Sequence, residues 1–89
     1  MTPAETVARH IAAAVSTPLP PEVAARTALH VLDTLAAIVS GAPLPAGRAG
    51  AALATTLGGP PEALVVASGA RSGAMTAALA NAMAAHADE

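Results

Sequence analysis

The chain of 89 residues contains no phenylalanine, tryptophan or tyrosine, and more than half of its apolar residues are alanine. Burying a large apolar side chain contributes about 1.5–3 kcal/mol, whereas alanine removes little surface from water. Ordering the backbone opposes folding by about 1–2 kcal/mol per residue. We therefore predict that this chain does not fold stably alone and forms one piece of a larger assembly.

Several other absences exclude whole classes of function. Without cysteine there are no disulfides and no thiolate metal sites, which favours a cytoplasmic location. Without lysine no amine base or Schiff base can come from this chain. Four scattered arginines, a net charge of −2 and no aromatic residue argue against a nucleic-acid partner. The longest uncharged runs, near residues 49–61 and 72–85, fall short of the ~20 residues of a membrane span, so no membrane association is predicted.

Prolines and capping residues mark the starts of three predicted helices. Thr2, Pro3 and Glu5 form the capping box that opens the first helix, which ends before Pro18. The second helix begins at Pro21 and carries an apolar face of helical period. Its predicted C-terminal cap is Gly41, and residues 45–57 follow as a third helix.

The last third of the chain predicts a turn, a short extended segment and a fourth helix. Residues 58–61 (GGPP) form the turn, and residues 63–66 (ALVV) are either a brief strand or an extended connector. Gly69 turns the chain, and Ser72 is the candidate cap of a fourth helix. The predicted fold class is all-α, with one short extended segment.

The fourth helix is apolar on every side, from residue 72 to residue 85. Such a helix must be buried all round, and no other part of this chain looks able to cover it. We predict that the Met75–Leu79–Met83 stripe is covered by protein in a complex. The same prediction applies to the small-residue face of Ala74, Ala78, Asn81 and Ala85.

Four segments together resemble one enzyme family. Residues 77–89 (AALANAMAAHADE) resemble the helix that leads into the active site of MmgE/PrpD enzymes. Residues 19–23 (LPPEV) and 32–35 (LDTL) resemble the opening of that family. Gly58-Gly59 before residues 64–66 (LVV) resembles a later element of it. Ala36 departs from the pattern, because the family often has glycine there.

The resemblance implies both a fold and a function. Residues 1–89 correspond to the N-terminal part of the family's large helical domain, as a small helical fragment that is incomplete on its own. The family includes 2-methylcitrate dehydratase, cis-aconitate decarboxylase and iminodisuccinate epimerase, which implies a lyase or isomerase acting on a small carboxylic acid without a cofactor. In the family, an Asp-Asp-Thr-His-like motif with catalytic groups follows the resembled helix.

The leading hypothesis is a small subunit of a split MmgE/PrpD enzyme. A larger MmgE/PrpD-like chain would carry the catalytic motif in a hetero-oligomer, and this chain would be inactive alone. Two alternatives stay open. The chain is a non-catalytic helical interaction module, or it is a truncated piece of a full-length enzyme.

Two residues are candidate site residues. The resemblance places His86 at the edge of the substrate pocket, as a candidate catalytic and substrate-binding group. The alternative is a histidine packed at a helix C-terminus, where the helix dipole favours a cation. Asn81 is a second candidate for substrate binding, but its amide is more simply explained by packing against another helix. His86, Asp88 and Glu89 supply too few converging ligands for a metal site, so none is predicted.

Overall fold

The computed structural model describes residues 1–88. Within them the chain consists of four helices and one small two-stranded hairpin joined by short connections, so the predicted all-α fold with a short extended segment is confirmed. The elements, in order, are α1 (Pro3–Ala14), α2 (Pro21–Gly41), α3 (Pro45–Leu57), β1 (Ala63–Leu64), β2 (Arg71–Ser72) and α4 (Ala74–His86).

The helix starts follow the predicted caps. The Thr2 hydroxyl oxygen accepts a hydrogen bond from the Glu5 backbone N–H at 3.1 Å, and the Thr2 N–H donates to the Glu5 carboxylate at 2.7 Å. This reciprocal pair satisfies two backbone donors at the start of α1. Pro21 and Pro45 occupy the first positions of α2 and α3, where proline loses no helical hydrogen bond.

Buried glycines bring α2, α3 and α4 into backbone contact. A Cβ atom on Gly41 would overlap with the Ala84 carbonyl oxygen of α4. A Cβ atom on Gly47 of α3 would overlap with the Gly41 carbonyl oxygen, and one on Gly50 would lie 3.2 Å from the Ala80 carbonyl oxygen. Helices can approach this closely only where side chains are absent, so these glycines set the spacing of the three helices.

Gly41 does not have the role that the sequence predicted for it. It is the last residue of α2. The C-cap is Ala42, whose backbone has the right-handed helical conformation, with φ of −53°. The predicted glycine cap is therefore wrong. A pattern of glycine before proline indicates a helix end, but it cannot reveal that the position also touches another helix.

The core enclosed by this packing is small. Its buried apolar residues are Ile38, Ala54, Val65, Ala77, Ala80 and Ala84. Three of these alanines lie on α4, so the chain itself covers one side of that helix, contrary to the expectation that nothing in the chain could do so. The other side stays open, because Met75 is 88% exposed and Leu79 is 49% exposed.

The hairpin packs against α3 and α4. Ala63 pairs with Ser72 and Leu64 with Arg71 in an antiparallel register. Gly69, with φ of 73°, makes the predicted turn. Ser72 does not cap α4 as predicted, because its position in β2 turns its side chain into the core, where it is 1% exposed and donates to the Gly73 carbonyl oxygen at 3.2 Å. The N-cap of α4 is Gly73.

Residues 3–35, here called the α1–α2 arm, project away from this core. Within residues 1–88, α1 contacts no other helix or strand. The radius of gyration is 16.6 Å, whereas a compact domain of this length has about 12 Å. The arm therefore leaves much apolar surface uncovered. Its exposed large apolar residues are Val7, Ile11, Val15, Leu19, Val23, Leu29, Val31, Leu32 and Leu35.

Helix α2 is long enough and apolar enough to cross a membrane, by length and composition only. A search for uncharged runs misses it, because Arg26 and Asp33 interrupt the helix. A charge at the centre of a bilayer costs about 2.5–3.5 kcal/mol on insertion scales. Since α2 carries three charged residues, Glu22, Arg26 and Asp33, a position across a bilayer is unfavourable, and the absence of membrane association stays a prediction.

The glycine contacts predict a graded response to added methyl groups. Gly41→Ala should destabilise the fold by about 1–3 kcal/mol through overpacking. Gly50→Ala should be much milder, because its contacts are looser and alanine gains about 1 kcal/mol of helix propensity over glycine. Thermal melts followed by circular dichroism measure the difference, on the chain assembled with its partner protein and at equal chain concentration. An equal effect of the two substitutions would refute the backbone-contact assignment.

Candidate functional site

The C-terminal ends of α2 and α4 meet and define the candidate site. The Ala84 carbonyl of α4 rests against Gly41 at the end of α2. Two residues after α4, the Asp88 carboxylate accepts a hydrogen bond from the Ser40 hydroxyl at 3.2 Å. His86 is the last residue of α4 and is exposed. The site thus consists of the exposed imidazole of His86 and the carboxylate of Asp88. Both lie where the C-terminal ends of α2 and α4 are in contact.

Asn81 lies five residues earlier on α4 and faces the hairpin. Its side-chain oxygen accepts from the Val66 backbone N–H at 3.0 Å, and its side-chain nitrogen donates to the Leu64 carbonyl oxygen at 3.0 Å. The predicted packing role is therefore correct in kind, but its partner is the hairpin backbone and not a helix. A substrate contact by Asn81 stays a prediction.

The structure does not bring the two candidate residues together. Five residues along an α-helix correspond to about 140° of rotation and about 7.5 Å of rise, so His86 and Asn81 point to different sides of α4. Among residues 1–88, no group of three or more histidine, aspartate or glutamate side chains could hold a metal ion. Glu89, which the sequence analysis considered with His86 and Asp88, lies outside the described residues.

Three small cavities lie on the surface of the helices and the hairpin. Each has a volume of about 180–220 Å³, below the 300–1,000 Å³ that is typical of ligand pockets. One lies at the corner between α1 and α2, one between α3 and the hairpin, and one at the start of α4. Neither His86 nor Asn81 lines any of these three, and both His86 and Asp88 at the end of α4 are exposed.

Comparison with known families identifies the chain. The family model of the MmgE/PrpD N-terminal domain matches residues 5–89. This chain belongs to the MmgE/PrpD family. The resemblance carried by residues 19–23 and 77–89 is thereby confirmed, and the four helices belong to the helical N-terminal domain of these enzymes. No curated protein and no solved structure matches the chain.

The structure adds two polar residues of this MmgE/PrpD domain that sequence reasoning missed. Ser40 fixes Asp88 although 48 residues separate them. Glu62 accepts a hydrogen bond from the Ala74 N–H at 3.4 Å, and so supplies at the start of α4 the acceptor expected from Ser72. Neither residue stands in a recognisable motif, because both contacts depend on how distant segments pack.

The two hydrogen bonds between the Asn81 side chain and the hairpin backbone, here called the amide clamp, lead to a testable prediction about stability. Asn81→Leu should lower the free energy of unfolding by about 1–3 kcal/mol, because it leaves a backbone donor and a backbone acceptor of the hairpin without partners. Amide hydrogen exchange at Val66 should accelerate in the same variant. Ala82→Leu, which places the same side chain on the neighbouring exposed position, is the matched control. Unchanged exchange at Val66 in Asn81→Leu would show that the clamp contributes nothing.

Proposed function

We propose that this chain is the small subunit of a split MmgE/PrpD-type lyase or isomerase. The observation that carries the proposal is the family match over residues 5–89, combined with a helical unit that leaves many large apolar side chains exposed. A domain of an enzyme family whose apolar surface is open needs further protein to cover it. The larger MmgE/PrpD-like chain supplies that cover and the groups that perform the chemistry.

The distribution of titratable residues favours an indirect role for this chain in catalysis, in which it supplies neither the acid nor the base. Its three histidines, His10, His30 and His86, lie on three different helices, and all are exposed. No lysine is present to act as an amine base. The larger chain therefore carries the acid and base that remove and return a proton beside a carboxylate. By family analogy, elimination, decarboxylation or re-protonation follows without a cofactor, in the cytoplasm.

The free side of α4 is the surface that this proposal assigns to the larger chain. Met75, Leu79 and Ala78 are exposed along that side, and Met83 is half-buried. His86 ends the same helix beside Asp88. Covering α4 brings the larger chain to the helix end, so His86 borders the pocket that the two chains share. Asn81 contributes through the hairpin it holds.

Reconstitution tests the proposal directly. The purified chain is mixed with a purified MmgE/PrpD-like chain that carries an Asp-Asp-Thr-His-like motif, and turnover of 2-methylcitrate, cis-aconitate and iminodisuccinate is followed. We expect no turnover from this chain alone and turnover from the mixture. A stable complex without a gain in turnover supports the non-catalytic module instead. Turnover that requires covalent joining of the two chains supports the truncated-enzyme alternative.

Two substitutions separate assembly from turnover in the reconstituted complex. His86→Ala should lower kcat by at least about tenfold with little effect on assembly, because it removes a side chain that borders the shared pocket and positions the substrate there. Ala78→Leu should weaken assembly by about 1–3 kcal/mol, because a bulky side chain overpacks a small-residue face. Arg9→Ala on exposed α1 is the control for both measurements. Full turnover in His86→Ala would remove His86 from the pocket edge, and normal assembly of Ala78→Leu would remove the α4 interface.

A further inference from the structure

We propose that Ser40 is a positioning residue, which acts through Asp88 on His86. Ser40 lies in the last turn of α2, and its hydroxyl donates a hydrogen bond to the Asp88 carboxylate at 3.2 Å. This contact fixes the end of α4, and thereby the direction in which the His86 side chain leaves that helix. The inference rests on the proposed function, because it takes His86 to border the pocket that the two chains share.

The end of α4 contacts α2 at three positions, which lie on both sides of His86 in the sequence. The Ala84 carbonyl oxygen lies so close to Gly41 that a Cβ atom on the glycine would overlap with it. The Ala87 methyl group would lie 3.3 Å from the same Cβ atom. The third contact is the hydrogen bond of Asp88. Because the backbone is held before and after His86, this residue can neither slide along α4 nor rotate about its axis.

The His86 side chain points away from these contacts. Ala87 keeps right-handed helical angles, with φ of −64° and ψ of −23°, so the rotation of about 100° per residue continues past the end of α4. Residues 84, 87 and 88 then lie within roughly 100° of one another around the axis, and His86 lies on the opposite side. Ala84 is accordingly buried and His86 is exposed. The backbone of His86 is thus held from the α2 side, while its imidazole stays accessible.

The place of Asp88 is unfavourable for helix stability, which favours a functional reason for it. A helix carries partial negative charge at its C-terminal end, so a carboxylate is disfavoured there, and Asp88 lies at the C-terminal ends of both α2 and α4. The last turn of α2 has no basic residue, and that of α4 has His86. On the α2 side, the Ser40 hydroxyl therefore holds the carboxylate. Residues that break a local rule in this way are expected at functional sites.

Substitutions of Ser40 in the reconstituted complex test the positioning role. Ser40→Ala should lower kcat by at least about fivefold, because a displaced positioning group costs turnover, and assembly should change by less than about twofold. Ser40→Thr keeps the hydroxyl and should restore kcat. Ser16→Ala is the matched control, because it removes an exposed hydroxyl that donates to the Ala13 carbonyl oxygen of its own helix. Equal kcat in Ser40→Ala and Ser16→Ala, or failure of Ser40→Thr to restore kcat, would overturn the proposal.

A double-mutant cycle shows whether the effect of Ser40 passes through Asp88. Asp88→Ala should lower kcat as much as Ser40→Ala does, because either change removes the same hydrogen bond. The double variant should then be no slower than either single variant, as is expected of two residues that share one interaction. Losses that multiply in the double variant would show that the hydroxyl and the carboxylate act separately, and would overturn the proposal.

Amide hydrogen exchange on the same complex tests the positioning without reference to turnover. The Ala87 N–H donates to the Ala84 carbonyl oxygen at 3.3 Å, and its exchange should accelerate at least about fivefold in Ser40→Ala, because the end of α4 opens locally. Exchange at Val66 in the hairpin should not change. Unchanged exchange at Ala87 would overturn the proposal even in a complex that turns over substrate. A wild-type complex that assembles without turnover would instead refute the proposed function, and exchange at Ala87 would still decide whether Ser40 fixes the end of α4.

Discussion

The structure depends on direct backbone contact between helices. Gly41, Gly47 and Gly50 carry no side chain where α2, α3 and α4 meet, and alanines fill the remaining space around them. This contact brings the ends of α2 and α4 so close that the Ser40 hydroxyl reaches Asp88. A helical unit built this way needs few large residues inside it. Its large apolar residues consequently lie outside, which is the reverse of an ordinary small domain.

That reversal is consistent with the small size of the cavities described above for residues 1–88. All three are smaller than typical ligand sites, and the histidines are distributed over three helices. The chain presents three exposed features. These are the apolar surface of the α1–α2 arm, the uncovered side of α4, and His86 at the end of α4. In the proposed split enzyme these features have a common purpose, since this chain would complete a site together with the larger chain.

Features set by local sequence were predictable, and features set by distant contacts were not. The capping box of Thr2 and Glu5, the proline starts and the Gly69 turn follow from residues within one turn of each other, and all were predicted. Gly41 and Ser72 have roles fixed by α4 and by β-pairing, so local patterns assigned them wrongly as caps. At the site, the position of His86 at the end of α4 follows from the local helix pattern, and its place at a pocket edge stays a prediction of the resemblance. The fixing of Asp88 by Ser40 was not predicted, because no local pattern links residues 48 positions apart.

The central claim is that the chain by itself has too small a core and needs further protein on its open faces. Amide hydrogen exchange, measured on the purified chain diluted until sedimentation shows only monomer, tests this most directly. Since α1 contacts no other helix or strand within residues 1–88, the account predicts unprotected amides in α1 and no cooperative unfolding of the monomer. Protected α1 amides in a monomer that unfolds in one cooperative transition would contradict it.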